Sequence, residues 1–128
     1  MNPKMIWANL AVSDINRTTR FYTQLGFKSN GASDELCSFY FGENNLIINF
    51  FLKEVLKANV EGEIADLKQG NEIVFTLSAA RRHEVDLWEQ EVLQAGGIIV
   101  SGVKEFGKAY YGFVFTDPDG HKFNVFNM

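Results

Sequence analysis

Apolar and mixed positions alternate at the start of the chain. Ile6, Ala8, Leu10 and Val12 interleave with Trp7, Asn9 and Ala11, a period of two that predicts a strand with one aliphatic and one mixed face. The period then lengthens. Ile15, Thr18, Tyr22 and Leu25 share a helical stripe with Phe21 beside it, Ser13 stands where a cap belongs, Asp14 suits the positive end of the helix dipole, and Gly26 suits a terminator. A short strand is expected near 28–31, and 36–41 and 46–52 read as strands. Between the last two lies Gly42-Glu43-Asn44-Asn45, whose asparagines tolerate the positive φ angles of a tight hairpin. Over 53–70 the pattern fades into a connector, with a short helix suggested at Val55-Leu56.

The same order then returns. Ile73, Phe75 and Leu77 alternate with Glu72, Val74 and Thr76, and Ser78 is placed to cap a helix carrying Val85, Trp88, Val92 and Ala95 and ending at Gly96-Gly97. Strands follow at 98–100, 110–115 and 122–126, the last two flanking Asp117-Pro118-Asp119-Gly120, a turn in which Pro sets φ and Gly accepts the left-handed position. Val12-Ser13 aligns with Leu77-Ser78 at an offset of 65 (78 − 13), and Asn49 with Asn124 at 75 (124 − 49). The expected fold class is therefore α+β: one domain over 1–128 made of two tandem βαβββ modules, about 5–52 and 71–128, joined by the connector 53–70.

A βαβββ pair closing in Asp117-Pro118-Asp119-Gly120-His121 resembles the vicinal oxygen chelate superfamily of glyoxalases, bleomycin- and fosfomycin-resistance proteins and extradiol dioxygenases. Asn9-Leu10-Ala11-Val12-Ser13-Asp14, Phe21-Tyr22 and Leu25-Gly26-Phe27 are similar to its first module. Phe75-Thr76-Leu77-Ser78 through Ala95-Gly96-Gly97 is similar to its second, and the branch most resembled is that of predicted lactoylglutathione lyases. The resemblance covers essentially the whole chain. It implies an open, cup-shaped mixed sheet with the helices outside and function on the inner face. Combined with the alternation, it turns inward Trp7, Asn9 and Ala11, then Ile47, Asn49 and Phe51, then Glu72, Val74 and Thr76, and finally Asn124 and Phe126. The segment 102–107, with Lys104-Glu105, is expected to form a mobile lip.

Catalytic members of that superfamily hold a divalent metal at one position on the first and one on the last strand of each module. The resemblance carries those positions onto Trp7, Asn49, Glu72 and Asn124. An indole cannot coordinate, and two neutral amides with one carboxylate make a poor cage, so neither metal nor other cofactor is expected. A register shifted by one offers Ile48, Phe50, Asn71 and Ile73, which is no better. His83, in Arg81-Arg82-His83-Glu84, reads as a solvated surface residue, and His121 as a hairpin residue making a local hydrogen bond.

Composition narrows the chemistry further. The 12 Phe, 4 Tyr and 2 Trp supply a core, to which Phe39, Phe41, Phe50, Phe75 and Phe115 are assigned, and leave Trp7, Phe51, Tyr111 and Phe126 as an apolar lining; Tyr110 and Tyr111 differ in parity. A net charge of −4 gives no basic footprint for nucleic acid or an anionic membrane. The single Cys37 excludes an intrachain disulfide and reads as core. Asp117 and Asp119 read as turn residues; Glu72, placed inward by the alternation, is the candidate base or hydrogen-bond acceptor, with a rim residue in water or an ion pair with Lys122 or Arg81 as the equal alternative. The start lacks the apolar stretch of a secretory signal, and a cytoplasmic protein is expected. The function expected is binding of a small planar or apolar ligand through Trp7, Asn9, Asn49, Phe51, Glu72, Val74, Tyr111, Asn124 and Phe126. The alternative is a metal-dependent lyase, isomerase or dioxygenase using Glu72 with His121. The resemblance makes a homodimer the default.

Overall fold

The computed structural model describes residues 1–43 and 46–128, so the turn expected at Asn44-Asn45 lies outside the described residues. In chain order it has β1 (Trp7–Val12), α1 (Ile15–Gln24), β2 (Lys28–Ala32), β3 (Leu36–Phe41), β4 (Leu46–Leu52) and α2 (Lys53–Val60). Then follow β5 (Val74–Ser78), α3 (Arg82–Ala95), β6 (Ile98–Phe106), β7 (Tyr110–Thr116) and β8 (Lys122–Asn127). The fold is α+β, with two compact units, Met1–Ala65 and Asp66–Met128. Each contains an open four-stranded mixed sheet, in the orders β1-β4-β3-β2 and β5-β8-β7-β6. In both, the first strand runs parallel to the last and the remaining pairs are antiparallel.

In the first unit the helix cap falls one residue later than Ser13. Asp14 has extended backbone and its carboxylate accepts the Arg17 N–H at 3.0 Å. Ser13 instead accepts from the Arg17 guanidinium at 2.8 Å. At the other end Gly26 takes φ 90°, and the N–H groups of Gly26 and Phe27 bond to the Thr23 and Tyr22 carbonyls at 3.0 and 3.1 Å. The helix buries Ile15, Thr18, Phe21 and Tyr22 and packs on β3 and β4. Tyr22 is the hub of an aromatic core: it stacks on Phe50 with ring centroids 4.5 Å apart and meets Phe39 at 5.6 Å and Phe41 at 5.8 Å. Each such ring removes roughly 150–250 Å² from water, which fixes this face of the sheet as the helix side. After β4, α2 starts at Lys53, two residues before Val55-Leu56, and buries Leu56.

In the second unit Ser78 remains in β5. The chain stays tied to β8 for one residue more, since the Ala79 N–H bonds to the Phe126 carbonyl at 3.0 Å and Asn127 Nδ2 to the Ala79 carbonyl at 2.9 Å. The helix cap therefore falls at Arg81, and the Glu84 carboxylate reaches back to accept the N–H groups of Ala80 and Arg81 at 2.8 and 3.2 Å. Val85 and Val92 are buried, Trp88 is half-buried, and α3 stops at Gly96 with φ 96°. Phe123 stacks on Phe115 at 5.1 Å, and Phe75 and Phe113 extend the cluster.

The segment 102–107, expected as a lip, is mostly strand. Most of it belongs to β6, with Lys104, Glu105 and Phe106 paired to Gly112, Tyr111 and Tyr110. The ladder shifts register between Ser101 and Lys104, and Glu89 Oε1 accepts the Val103 N–H there at 3.2 Å. That side chain from α3 satisfies a backbone donor in the irregular stretch, which lets a polar, glycine-bearing stretch continue as strand.

Candidate functional site

The register shows what lies on the face of the first sheet opposite α1. Three rows cross it: Trp7–Ile47–Tyr40, Asn9–Asn49–Ser38 and Ala11–Phe51–Leu36. The alternation read from the sequence thus holds for Trp7, Asn9, Asn49 and Phe51. Trp7 is 51% exposed, Asn9 is exposed, and Asn49 and Phe51 are half-buried.

The middle row is a chain of hydrogen bonds. Tyr40 Oη donates to Asn30 Oδ1 at 2.7 Å, and Asn30 Nδ2 donates to Ser38 Oγ at 3.2 Å. Ser38 Oγ donates to Asn49 Oδ1 at 2.6 Å, and Asn49 Nδ2 donates to Asn9 Oδ1 at 3.0 Å. Asn30 joins the chain because the β2–β3 register shifts between Ser29 and Gly31, where Gly31 takes φ 113°. Ser38 is 3% exposed, so its hydroxyl needs these partners. Sequence reasoning missed Asn30, Ser38 and Tyr40. The alternation of β3 held the signal for the last two, which share parity, whereas a bulge leaves no trace in a short polar strand.

The second sheet has the same scaffold with different occupants. Its rows are Val74–Lys122–Thr116, Thr76–Asn124–Val114 and Ser78–Phe126–Gly112. Asn124 is half-buried beside Val114, whose hydrocarbon side chain offers no hydrogen bond. Phe126 meets Tyr110 edge to face at 5.3 Å. Tyr111, expected on this face, belongs to the other. Its hydroxyl donates to Asp86 Oδ1 on α3 at 2.5 Å, and the Arg82 guanidinium lies 4.8 Å from its ring centroid. Arg82 also pairs with Glu105 at 2.6 Å. The bond to Asp86 raises the Tyr111 hydroxyl above its ordinary pKa, with desolvation and the Asp86 charge adding to the shift and Arg82 opposing it. Neighbours on a strand face opposite ways, so Tyr110 takes the place assigned to Tyr111.

Register also corrects the repeat. Asn9 pairs with Asn49 as Thr76 pairs with Asn124, and the helix caps are Asp14 and Arg81, so the offset is 67 (76 − 9; 81 − 14) rather than 65. An even error keeps every residue on its face but moves it along the strand. The counterpart of Trp7 is Val74, and Glu72 lies two residues before β5 in an exposed bend.

The hairpin residues act as turn-formers. Asp117 is 1% exposed; its Oδ1 accepts the N–H groups of Asp119 and His121 at 3.0 and 2.9 Å, and its Oδ2 pairs with His121 Nδ1 at 2.7 Å. Gly120 completes the turn at φ 101°. His83 is exposed on α3.

A duplicated βαβββ unit, each copy carrying its helix on one sheet face and mixed side chains on the other, defines a paired-module α+β protein. The model of the Glyoxalase/Bleomycin resistance protein/Dioxygenase superfamily matches residues 4–125, and the chain belongs to that superfamily. Its structure is similar to that of the hypothetical protein SA1046 from S. aureus, with 26% identity, 100% of this chain and 96% of that chain covered, and a TM-score of 0.87. It is also similar to a glyoxalase-related enzyme from Fulvimarina pelagi, at 16% identity, coverage of 99% and 89%, and a TM-score of 0.88. A lactoylglutathione lyase from Agrobacterium tumefaciens is similar at 18% identity, coverage of 98% and 95%, and a TM-score of 0.71. No curated protein matches the chain. No helix among the described residues is long and apolar enough to cross a membrane.

The residues do not fit the divalent metal that this superfamily implies. Trp7 and its counterpart Val74 cannot coordinate, Glu72 stands off the strand, and Asn124 is a neutral amide. Both polar atoms of the Asn49 amide are already engaged, by Ser38 and Asn9. Among the described residues no three His, Cys, Asp or Glu side chains gather as a metal site.

Proposed function

We propose that the protein binds a small, flat, weakly polar molecule on the free faces of its sheets, without the metal of its superfamily. One observation carries this reading. Asn49, at a metal-ligand position, has both ends of its amide tied into hydrogen bonds within the sheet. Such a group orders a polar surface and is poorly suited to gripping a cation. On its own sheet, Trp7, Asn9 and Phe51 give apolar area with an amide, and the free face of the second sheet, taken by itself, repeats that composition with Val74, Asn124 and Phe126, the composition of a small-molecule site. The rival reading, a metal-dependent lyase, isomerase or dioxygenase through Glu72 and His121, is disfavoured. Among the described residues neither His121 nor Glu72 joins a group of three His, Cys, Asp or Glu that could hold a metal, and Glu72 sits in an exposed bend.

Two measurements test the proposal. Elemental analysis after dialysis, repeated with added Ni, Zn and Fe, should find no stoichiometric ion; one tightly held ion per chain would overturn the metal-free reading. Fluorescence titration with planar aromatics should quench the parent and Trp88→Phe but not Trp7→Phe. A ring stacked on the half-exposed Trp7 contributes about 0.5–1.5 kcal/mol beyond area burial, while Trp88 belongs to the α3 stripe of Val85 and Val92. Quenching that survives in Trp7→Phe and vanishes in Trp88→Phe would place the ligand elsewhere.

A further inference from the structure

We propose that Asn9 is the terminal donor of a polarised relay and selects flat, uncharged ligands that carry a carbonyl oxygen. The inference rests on the reading of the first sheet's free face as a ligand-binding surface and adds the chemistry of what binds there. All four hydrogen bonds point one way: Tyr40 to Asn30, Asn30 to Ser38, Ser38 to Asn49, and Asn49 to Asn9. An isolated exposed asparagine can turn its amide over and offer oxygen or nitrogen with equal ease. Asn9 is not in that position: its oxygen accepts from Asn49, and turning it over would require Asn49, Ser38 and Asn30 to reverse with it. Its Nδ2 is left to face outward with its donor hydrogens, on an exposed residue of the edge strand. Each donor in such a chain is polarised by the one behind it, which makes the last a better donor than a lone amide. Satisfying the buried Ser38 hydroxyl would require only Asn30 and Asn49; the chain runs one strand further and ends in the open.

The surroundings set the rest of the ligand. Trp7 and Ala11 flank Asn9 on the same face of β1, and Ile47 and Phe51 lie across from them on β4, so the donor is set in apolar surface. Among the described residues of these four strands the only cation is Lys28, which lies on β2 with its ammonium over the Tyr40 ring at 5.5 Å. At three strand spacings, about 14 Å, it gives little to an anion bound at Asn9. A carboxylate there would find no counter-charge on the strands themselves, and a ketone, lactone or amide carbonyl would not need one. At the matching place in the second sheet, Thr76 and Asn124 are cut off by Val114, so the selectivity belongs to the first sheet.

Three probes that share one ring system isolate the acceptor: 2-acetonaphthone, 2-ethylnaphthalene and 2-naphthoate. Dissociation constants are measured on the parent, Asn9→Leu and Ser38→Ala, with the side-chain amide signals followed by ¹⁵N NMR. The ratio of ketone to hydrocarbon affinity should fall about fivefold from parent to Asn9→Leu, the size of one neutral hydrogen bond, while the hydrocarbon binds both alike. Ser38→Ala, which cuts the relay without touching Asn9, should lower the ratio about twofold. The Asn9 amide protons should shift with the ketone and not with the hydrocarbon, and naphthoate should bind more weakly than the ketone. A ratio unchanged by Asn9→Leu, or naphthoate binding tightest, overturns this inference and leaves ligand binding standing. Failure of all three probes to bind the parent overturns the binding reading and this inference with it.

Discussion

In the first sheet Ser38 stands between Asn49 and β2; at the matching place in the second, Val114 stands between Asn124 and Ser101. Strand order is the same in both sheets and the pairing of the central strands matches, so within these rows the difference is one of side chain. A hydroxyl joins the amides on either side of it, and an isopropyl group separates them. The second unit places its polar cluster on the helix side, where Tyr111, Asp86, Arg82 and Glu105 link β7, α3 and β6. Duplication therefore supplied two equal scaffolds, and a few residues gave one free face a connected polar line and the other a broken one. The helix sides differ in a complementary manner. Cys37 and Phe50 face each other across β3 and β4, whereas Phe113 and Val125 hold those places across β7 and β8. One large and one small side chain fill each layer, on opposite strands.

The largest effects should come from that layer. Phe50 is fully buried against Tyr22, and Phe50→Ala should cost about 4 kcal/mol in urea unfolding; Val125→Ala, at the matching place, should cost about 2 kcal/mol. Equal losses would mean that the two cores do not lean on opposite strands. Next is Gly112, whose counterpart in the first sheet is Leu36, since each pairs with a phenylalanine, Phe126 or Phe51. A Cβ on Gly112 would lie 2.0 Å from the Val125 carbonyl oxygen and 2.7 Å from Phe126 Cβ. Gly112→Ala should therefore cost about 3 kcal/mol, while Gly102→Ala, whose Cβ would lie 3.4 Å from Glu89 Oε1 and meet nothing else, should be close to neutral. A mild Gly112→Ala would show that β7 can move off β8 to make room for the methyl group.

Most of this fold could be read from period and punctuation. Alternation gave β1, β3, β4 and β8 almost to the residue, and Gly26 and Gly96 marked both helix ends, because these signals are local. Helix starts were harder. Ser13 and Ser78 are good caps by type, but the hydrogen bonds that hold Ala79 to β8 are non-local and delay the second helix, which is what hid the offset of 67 (81 − 14). Glu72 was placed on the first strand of its module for the same reason. Parity put Trp7, Asn9, Asn49, Phe51, Asn124 and Phe126 on the free faces, and at Tyr111 it was not followed: alternation back from Phe115, assigned to the core, puts Tyr111 on the helix side and Tyr110 on the free face. Asn30 was invisible, since only a shifted register puts it in line with Ser38.

A smaller effect should follow from exchanging the residues that distinguish the free faces. Ser38→Val leaves Asn49 Oδ1 and Asn30 Nδ2 without the hydroxyl between them, and should cost about 1–2 kcal/mol. Val114→Ser brings a hydroxyl beside Asn124 and should restrict the Asn124 side-chain amide, read as slowed hydrogen exchange, at a cost of about 1 kcal/mol in lost apolar burial. If Ser38→Val proved as stable as the parent, the relay would contribute nothing to holding the first sheet together, and its only remaining use would be at the ligand.

The smallest effect belongs to the polar cluster on the helix side. Tyr111 donates to the Asp86 carboxylate, and that bond raises its hydroxyl pKa, with desolvation and the carboxylate charge acting in the same sense. The protonated phenol is the form that bonds, so the stability it contributes is fully present below the unfolded value of about 10 and is lost as pH rises through the higher folded value. Tyr111 is half-buried and its bond to Asp86 lies at the surface, so the change in unfolding free energy should be slight, and the titration itself is the better readout. The ultraviolet difference spectrum between the parent and Tyr111→Phe isolates this tyrosine from the other three of the 4 in the chain. Its ionisation should lie above the ordinary tyrosine range in the parent and drop back toward it in Asp86→Asn, where the largest contribution and the carboxylate charge are both weakened. Arg82→Gln should act in the opposite sense, because the guanidinium over the ring favours the phenolate. An ionisation that is the same in the parent and Asp86→Asn would mean that Tyr111 does not face α3, which would return it to the free face beside Phe126 and restore there the aromatic contact that the structure gives to Tyr110.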